Sequence, residues 1–153
     1  MTIGSRESTP ESKGYGNQVT GNVGMYYVCY ILSKMGWNVM STARNAKGID
    51  IIIYNSDATV TKTIQVKALS KRKAVPLGPN LENIFGDYLI ISINVYSDNP
   101  SCYILEPSQI RSLAKMDEKD GKRSYWLSPK IYDQTRFQDW SIIGIAGQEI
   151  VER

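Results

Sequence analysis

The sequence contains no histidine among its 153 residues. This absence excludes nucleophile systems of the Ser-His-Asp and Cys-His kinds, and it removes the commonest side-chain ligand of transition metals. Any catalytic chemistry must use carboxylates, lysines, hydroxyl groups or a hard metal ion bound through oxygen atoms.

Cysteine is scarce, because only Cys29 and Cys102 are present. Cys29 lies in a helical pattern and Cys102 in a strand pattern, so two buried free thiols are predicted rather than a disulfide. Residues 1–7 lack the apolar core of a signal peptide. Together these features favour a cytoplasmic protein.

Charge is nearly balanced, with 18 basic and 15 acidic residues and a net charge of +3. This balance permits nucleic-acid binding without demanding it, so any binding surface must come from local clusters of lysine and arginine. Residues 14–33 carry no formal charge, but their glycines and amide side chains argue against a membrane span. We therefore expect no membrane partner.

The length and the 42% apolar content predict a single domain with a substantial core. Residues 1–16 are rich in Ser, Gly, Glu and Lys and predict a flexible N-terminal arm. Residues 17–146 are assigned to the domain and residues 147–153 to a C-terminal tail.

Apolar residues recur at helical spacing over residues 17–35, and Gly36 supplies a stop. Two apolar lines cover opposite sides, so the helix is predicted to be buried on both, either inside the domain or across a homodimer interface. Tyr26, Tyr27 and Tyr30 belong to one of these lines and are assigned to the core rather than to stacking on bases.

The remaining pattern predicts strands separated by loops and a second helix. A strand is expected at residues 37–42, a fully buried strand at 87–96 and a further strand at 101–105. Ser108 is expected to cap a helix over residues 109–116. Residues 74–80 are expected to form a loop that contains Pro and Gly, and residues 117–123 a solvated loop. Residues 125–145 are expected to close the core.

Residues 48–67 predict a β-hairpin with a candidate metal site. Residues 51–53 and 59–64 are strand-like, and residues 55–58 are turn-like. If the turn centres between residues 57 and 58, paired residue numbers sum to 115, and Asp50 lies opposite Gln65. Lys67 shares their face, so a carboxylate, an amide oxygen and an ammonium group would converge. Alternatively, Asp50 merely begins a strand and Lys67 ends one in solvent.

The order of these elements resembles the core of the PD-(D/E)xK, or restriction-endonuclease-like, nuclease superfamily. The residues that carry the resemblance are Gly-Asn-Val-Gly at 21–24, Gly-Trp at 36–37, Gly-Ile-Asp at 48–50 and Ile-Gln-Val-Lys-Ala at 64–68. The Gln-x-Lys form is similar to the variant in Mrr-like restriction enzymes. The resemblance implies an α/β fold with a mixed central sheet flanked by helices.

The same resemblance implies a Mg²⁺-dependent endodeoxyribonuclease of restriction or DNA-repair type. Asp50 would bind Mg²⁺ or Mn²⁺, Gln65 would take the place of the second acidic ligand, and the Val66 carbonyl would add an oxygen. Lys67 would orient or activate the attacking water. Hard cations prefer oxygen ligands, and phosphodiester hydrolysis requires an activated water, so these assignments are chemically consistent.

One position departs from the family pattern. Many members carry a glutamate on the first helix just after the glycine, whereas Gly24 is followed here by Met25. With Gln65 in place of an acid, Asp50 is left as the single negative charge, which weakens affinity for a divalent cation. The alternative reading is a catalytically inactive nuclease-fold protein that binds nucleic acid or a protein partner.

A basic run follows the predicted hairpin. Lys71, Arg72 and Lys73 would stand beside a nuclease cleft and could contact DNA phosphates, and Arg44 and Lys47 lie in the loop before Asp50. These five residues are the predicted DNA-binding set. An ordinary solvated turn remains the alternative for the run at 71–73.

Overall fold

A computed structural model describes residues 16–43 and 48–147 of the chain. The first elements are helix α1 (Asn17–Lys34) and strands β1 (Asn38–Ser41), β2 (Ile51–Tyr54), β3 (Thr61–Ala68) and β4 (Val75–Gly78). Next come β5 (Tyr88–Ile93), β6 (Ser101–Leu105), α2 (Pro107–Leu113), β7 (Lys115–Lys119), β8 (Lys122–Leu127) and α3 (Pro129–Tyr132). Single 3-10 turns occupy Leu81–Asn83, Thr135–Gln138 and Trp140–Ile142.

The central sheet has five strands in the order β1-β2-β3-β5-β6. β3 and β5 are parallel, whereas the other neighbouring pairs are antiparallel. A second sheet has the order β4-β8-β7. The predicted α/β fold with a mixed central sheet flanked by helices is therefore confirmed.

The hairpin register is confirmed as well. Ile51 pairs with Ile64 and Tyr54 with Thr61, so paired residue numbers sum to 115 as predicted. Asn55 stabilises the turn, because its side-chain oxygen accepts a hydrogen bond from the Val60 backbone N–H at 3.0 Å. Both strands have strong β propensity and a polar turn lies between them, so this register could be predicted from the local sequence alone.

The apolar residues form two clusters, one on each face of the central sheet. Val28 and Leu32 of α1 pack with Ile51, Ile53 and Ile64 on one face. Residues from α2, α3 and the second sheet cover the other face, including Ile110, Tyr132 and Leu127. Every residue of β5 is buried, as its continuous apolar run predicts.

Within the chain, helix α1 is buried on one side only, so the prediction that both sides are covered inside the domain was wrong, and cover by a second copy of the chain stays a prediction. Its buried residues are Thr20, Gly24, Val28 and Leu32. Tyr26 and Tyr30 are 61% and 58% exposed, so assigning them to the core was wrong. Tyr27 does pack against the apolar cluster. Apolar residues all around the helix hid which side faces the sheet.

Two other expectations were wrong. Residues 117–123 belong to the β7–β8 hairpin, which turns at Asp120 and Gly121, both with positive φ. The Asp-Gly pair is a strong hairpin signal that outweighs the high charge of this segment. Residues 75–78 form β4 rather than a loop, because the backbone of Val75 pairs with that of Leu127.

The second helix is also shorter than predicted and begins earlier. α2 ends at Leu113 rather than continuing to residue 116. Glu106, not Ser108, is its N-cap, because Glu106 and Gln109 form a reciprocal capping box.

The C-terminal segment closes the α1 side of the core. Ile143 is buried in the α1 cluster, whereas Phe137 is buried on the other face of the sheet, so both contribute to the core as the sequence predicts. Three side chains donate hydrogen bonds to consecutive backbone carbonyls of this segment: Tyr88 Oη to Ile142, Lys62 Nζ to Ile143 and Trp37 Nε1 to Gly144, at 2.9–3.1 Å. The segment is therefore held by polar contacts as well as by burial.

Both cysteines are free, as predicted, but only Cys102 is buried, whereas Cys29 is half-buried. Burial raises the pKa of the Cys102 thiol to about 11, so it stays protonated near neutral pH. No helix in residues 16–43 and 48–147 has the length and apolar character needed to cross a membrane. The predicted arm at residues 1–16 and the tail at 147–153 lie almost entirely outside the described residues.

Gly24 allows α1 to approach β3 closely. A Cβ atom added at Gly24 would lie 2.3 Å from the Cβ of Ala68, whereas one at Gly21 would meet nothing within 4 Å. Both glycines lie in the same helix, so alanine offers the same gain in helix propensity of about 1 kcal/mol at either position.

We predict that Gly24→Ala lowers the free energy of unfolding by about 1–3 kcal/mol, because overpacking outweighs the helix propensity. Gly21→Ala should raise it by up to about 1 kcal/mol. Urea unfolding of both variants measures the difference. Equal stability of the two would mean that α1 does not depend on this close approach.

Candidate metal-binding cleft

Asp50 lies directly before β2 and is held at three points. Its backbone N–H donates to the Ile64 carbonyl, and its carbonyl accepts from the Thr42 N–H, both at 2.9 Å. Its carboxylate Oδ2 accepts a hydrogen bond from the Val66 N–H at 2.7 Å. The carboxylate therefore takes the place of a backbone carbonyl as the hydrogen-bond acceptor for the Val66 N–H of β3. This bond fixes the carboxylate at the point where β2 and β3 separate.

A cleft opens beside this carboxylate, between α1 and the start of β2. It comprises two adjoining cavities of about 350 Å³ and 420 Å³, and both are lined by Gln18, Asn22, Met25 and Asp50. Asn17, Gly21 and Val66 complete the first cavity. The second is completed by Tyr26, Ser41, Thr42 and Ala43.

The lining offers oxygen atoms and a single charge. Asp50 is the one ionisable acid or base among the described lining residues, apart from the phenol of Tyr26. The other polar groups are amides and hydroxyls, which a hard cation such as Mg²⁺ accepts as neutral ligands. No cluster of three or more His, Cys, Asp or Glu occurs within residues 16–43 and 48–147. The lining residues therefore offer the type of ligand atom that a divalent ion prefers, but only one negative charge to hold it.

Gln65 is buried and hydrogen-bonded to the segment that precedes β5. It is 5% exposed, its Nε2 donates to the Asn83 carbonyl at 3.1 Å, and its Oε1 accepts from the Phe85 N–H at 3.3 Å. Gly48 passes close by with a φ of +74°, and a Cβ there would lie 2.6 Å from the Phe85 ring. Gln65 therefore orders the connection to β5 through both ends of its amide.

Strand alternation separates Gln65 and Lys67 from the α1 side of the sheet. Ile64 packs with the α1 cluster, and Ala68 faces Gly24. Gln65 and Lys67 occupy the alternate positions, so their side chains point to the other face of the sheet. The half-buried Lys67 does not line the cleft, so the structure brings Asp50 and Val66 to this cavity but leaves Gln65 and Lys67 apart from it.

The basic run at 71–73 is exposed, but its central residue has a partner. Arg72 Nε lies 3.0 Å from Asp133 Oδ2 in the one salt bridge found among the described residues. Asp133 Oδ1 also accepts a hydrogen bond from Tyr103 Oη at 2.9 Å. Burial and this bond raise the pKa of Tyr103 to about 12. Lys71 and Lys73 are therefore more available for phosphates, while Arg44 and Lys47 lie outside the described residues.

Sequence reasoning missed the α1 residues that line the cleft. Gln18, Asn22 and Met25 are spaced by four and three residues, so they share one helix face. The Gln18 Nε2 donates to the Asn22 Oδ1 at 3.3 Å. This i, i+4 pair of amides was the available signal, and only Met25 was identified as a neighbour of Asp50.

Comparisons with known proteins give limited information about this chain. No family model matches the sequence, and no curated protein matches it. A similar solved structure is that of a bacterial homing endonuclease, at 15% identity and a TM-score of 0.49. The similarity covers 72% of this chain and 77% of that chain. A TM-score below 0.5 leaves the chemistry of this chain to be inferred from its own residues.

Met25 lines the cleft together with Asp50, so a substitution at Met25 can test whether the single negative charge limits the affinity for a divalent ion. We predict that Met25→Glu tightens Mn²⁺ binding, since a second carboxylate at the cleft adds charge to the site. Without metal, two close carboxylates should repel each other and lower the melting temperature, and Mn²⁺ should restore it. Calorimetric titration and thermal unfolding measure both effects.

Met25→Gln is the matched control, because it adds an oxygen without charge. Destabilisation of Met25→Glu that Mn²⁺ does not reverse, together with no gain in binding, would show that Met25 contributes only to packing.

Proposed function

We propose that this protein is a Mg²⁺-dependent endodeoxyribonuclease of restriction or DNA-repair type that hydrolyses phosphodiester bonds. The observation that carries the proposal is the Asp50 carboxylate, fixed by the Val66 N–H at the mouth of an oxygen-lined cleft. A fixed carboxylate in a cavity wide enough for part of a nucleotide is suited to hold a cation against a phosphate.

Asp50 and the Val66 carbonyl would hold the metal ion. Gln65 is proposed as a third oxygen ligand, a role that requires its amide to leave Asn83 and Phe85 and turn towards the cleft. Mg²⁺ or Mn²⁺, when bound, supplies a positive charge that polarises a phosphate and acidifies water. Lys67 would hold or move a proton at Nζ. This role requires its long side chain to reach around the end of β3 to the mouth of the cleft, because its Cβ leaves on the opposite face.

A second candidate function is a nuclease-fold protein without catalysis that binds nucleic acid or a protein. Two observations favour it. Asp50 is the sole carboxylate lining the described part of the cleft, and both ends of the Gln65 amide are already hydrogen-bonded to backbone. Divalent-metal binding separates the two functions, because an active enzyme requires it. The homodimer stays a prediction under either function.

We predict that Asp50→Asn and Lys67→Ala each reduce metal-dependent DNA cleavage by about 100-fold or more. Asparagine keeps an oxygen that can accept the Val66 N–H, so Asp50→Asn should melt close to the wild type while losing Mn²⁺ affinity. Cleavage of supercoiled plasmid DNA, with and without chelator, measures the loss.

The matched controls are Asp98→Asn and Lys119→Ala, which change exposed residues away from the cleft. They should cleave as the wild type does. Persistence of metal-dependent cleavage in Asp50→Asn would place the active site elsewhere.

The basic run generates a prediction about DNA affinity. Replacing Lys71 and Lys73 together with alanine should weaken binding to all DNA sequences and reduce the slope of log affinity against log salt by about 2, since each phosphate contact releases counterions. Arg72 is left unchanged, because its bond to Asp133 ties it to the fold.

The control is the pair Lys119→Ala and Lys122→Ala, which removes the same charge from the tip of the β7–β8 hairpin. A slope that falls equally in both double variants would reflect net charge alone rather than contacts made at 71–73.

A further inference from the structure

Tyr26 is an exposed aromatic residue at the edge of the cleft. It projects from α1, it is 61% exposed, and it lines the same cavity as Asp50 and Asn22. Single exposed aromatic residues are common on protein surfaces. Its position beside a fixed carboxylate in a cavity is what gives this tyrosine a candidate role.

The wall next to Tyr26 is polar but uncharged. The residues that line it include Gln18, Asn22, Ser41 and Thr42, whose side chains carry amide and hydroxyl groups, although the Thr42 hydroxyl already donates to the Ile49 carbonyl. Such groups hydrogen-bond to the edges of nucleic-acid bases, which are themselves polar and uncharged, whereas phosphates favour lysine and arginine. An aromatic ring stacks on the face of any base. The cavity therefore combines polar groups that can hydrogen-bond to the edge of a base with an aromatic ring that can stack on its face.

We propose that the cleft takes a single unstacked nucleotide of a DNA strand, with its base stacked on Tyr26 and its phosphate directed towards Asp50. This inference rests on the proposed nuclease function and adds the form of the substrate. A base inside a duplex is stacked on both sides and cannot offer a face to Tyr26, so the bound nucleotide is unpaired or rotated out of the helix.

Tyr30 provides a matched control on the same helix. It lies one turn further along α1 and is 58% exposed, but it does not line the cleft. The Lys34 Nζ lies 5.1 Å from the centre of its ring, so that ring already has a cation against it. Substitutions at Tyr26 and Tyr30 therefore remove equally exposed rings, one inside the proposed site and one outside it.

The experiment measures binding of a single-stranded oligonucleotide to the full-length Asp50→Asn protein, which prevents cleavage and removes the charge that would repel a phosphate without metal. Adding Tyr26→Ala should weaken binding about 5- to 150-fold, the range expected for loss of one base–aromatic stack. Tyr26→Phe should retain the affinity, and Tyr30→Ala should leave it unchanged. All variants should melt cooperatively at similar temperatures.

A second readout locates the contact. An oligonucleotide carrying 5-iododeoxyuridine should photocrosslink to Tyr26, as mapped by mass spectrometry, and the fully paired duplex should crosslink less. Equal affinity of the Tyr26→Ala and Tyr30→Ala variants, or a crosslink at another residue, would overturn the inference.

Sedimentation distinguishes the stacking site from an interface between copies of the chain. If Tyr26→Ala and Tyr30→Ala both convert a dimer into a monomer, the exposed side of α1 is a subunit interface and the inference fails. Nuclease activity is scored separately on the wild type. Stacking at Tyr26 without any metal-dependent cleavage would contradict the proposed function alone.

Discussion

The close approach of α1 to β3 at Gly24 and Ala68 sets the geometry on which the candidate site depends. With no side chain at Gly24, the helix lies near enough to the sheet for Val28 and Leu32 to pack on the hairpin formed by β2 and β3. The same placement brings the amide-bearing first half of α1 beside Asp50. One steric condition thus determines both the core on this side of the sheet and the width of the cleft.

Much of the central sheet could be predicted from the sequence because its signals are local. β2 and β3 are rich in β-branched residues and flank a polar turn, and the continuous apolar run of β5 indicates a strand covered on both faces. The exposed side of α1 could not be predicted in this way. Its apolar residues surround the helix, and only packing against the sheet decides that Val28 is buried and Tyr30 is exposed. The β7–β8 hairpin was missed because its charge was given more weight than the Asp-Gly turn.

The candidate site was predictable only in part, for a related reason. The pairing register correctly placed Asp50 just before β2, beside the strand that carries Gln65 and Lys67, but it did not show that these two side chains lie apart from the cleft. The partners of Gln65 lie 18 and 20 residues further along the chain, at Asn83 and Phe85, so no local pattern reveals them. The cleft itself forms between elements that are separated by a loop. Gln18 and Asn22 contribute to its wall, and although their i, i+4 spacing places them on one helix face, it does not show that this face meets Asp50. Short motifs therefore identified Asp50, while tertiary packing decides which side chains accompany it.

The proposed function requires the Asp50 carboxylate to hold a divalent cation in the cleft. The direct test of this binding is a crystal structure of the protein soaked in Mn²⁺, with anomalous diffraction measured at the manganese edge. An anomalous peak is expected at coordination distance from an Asp50 carboxylate oxygen, with the Val66 carbonyl as a further ligand. A well-ordered Asp50 that keeps its hydrogen bond to the Val66 N–H in saturating Mn²⁺, with no anomalous peak in the cleft, would contradict this expectation.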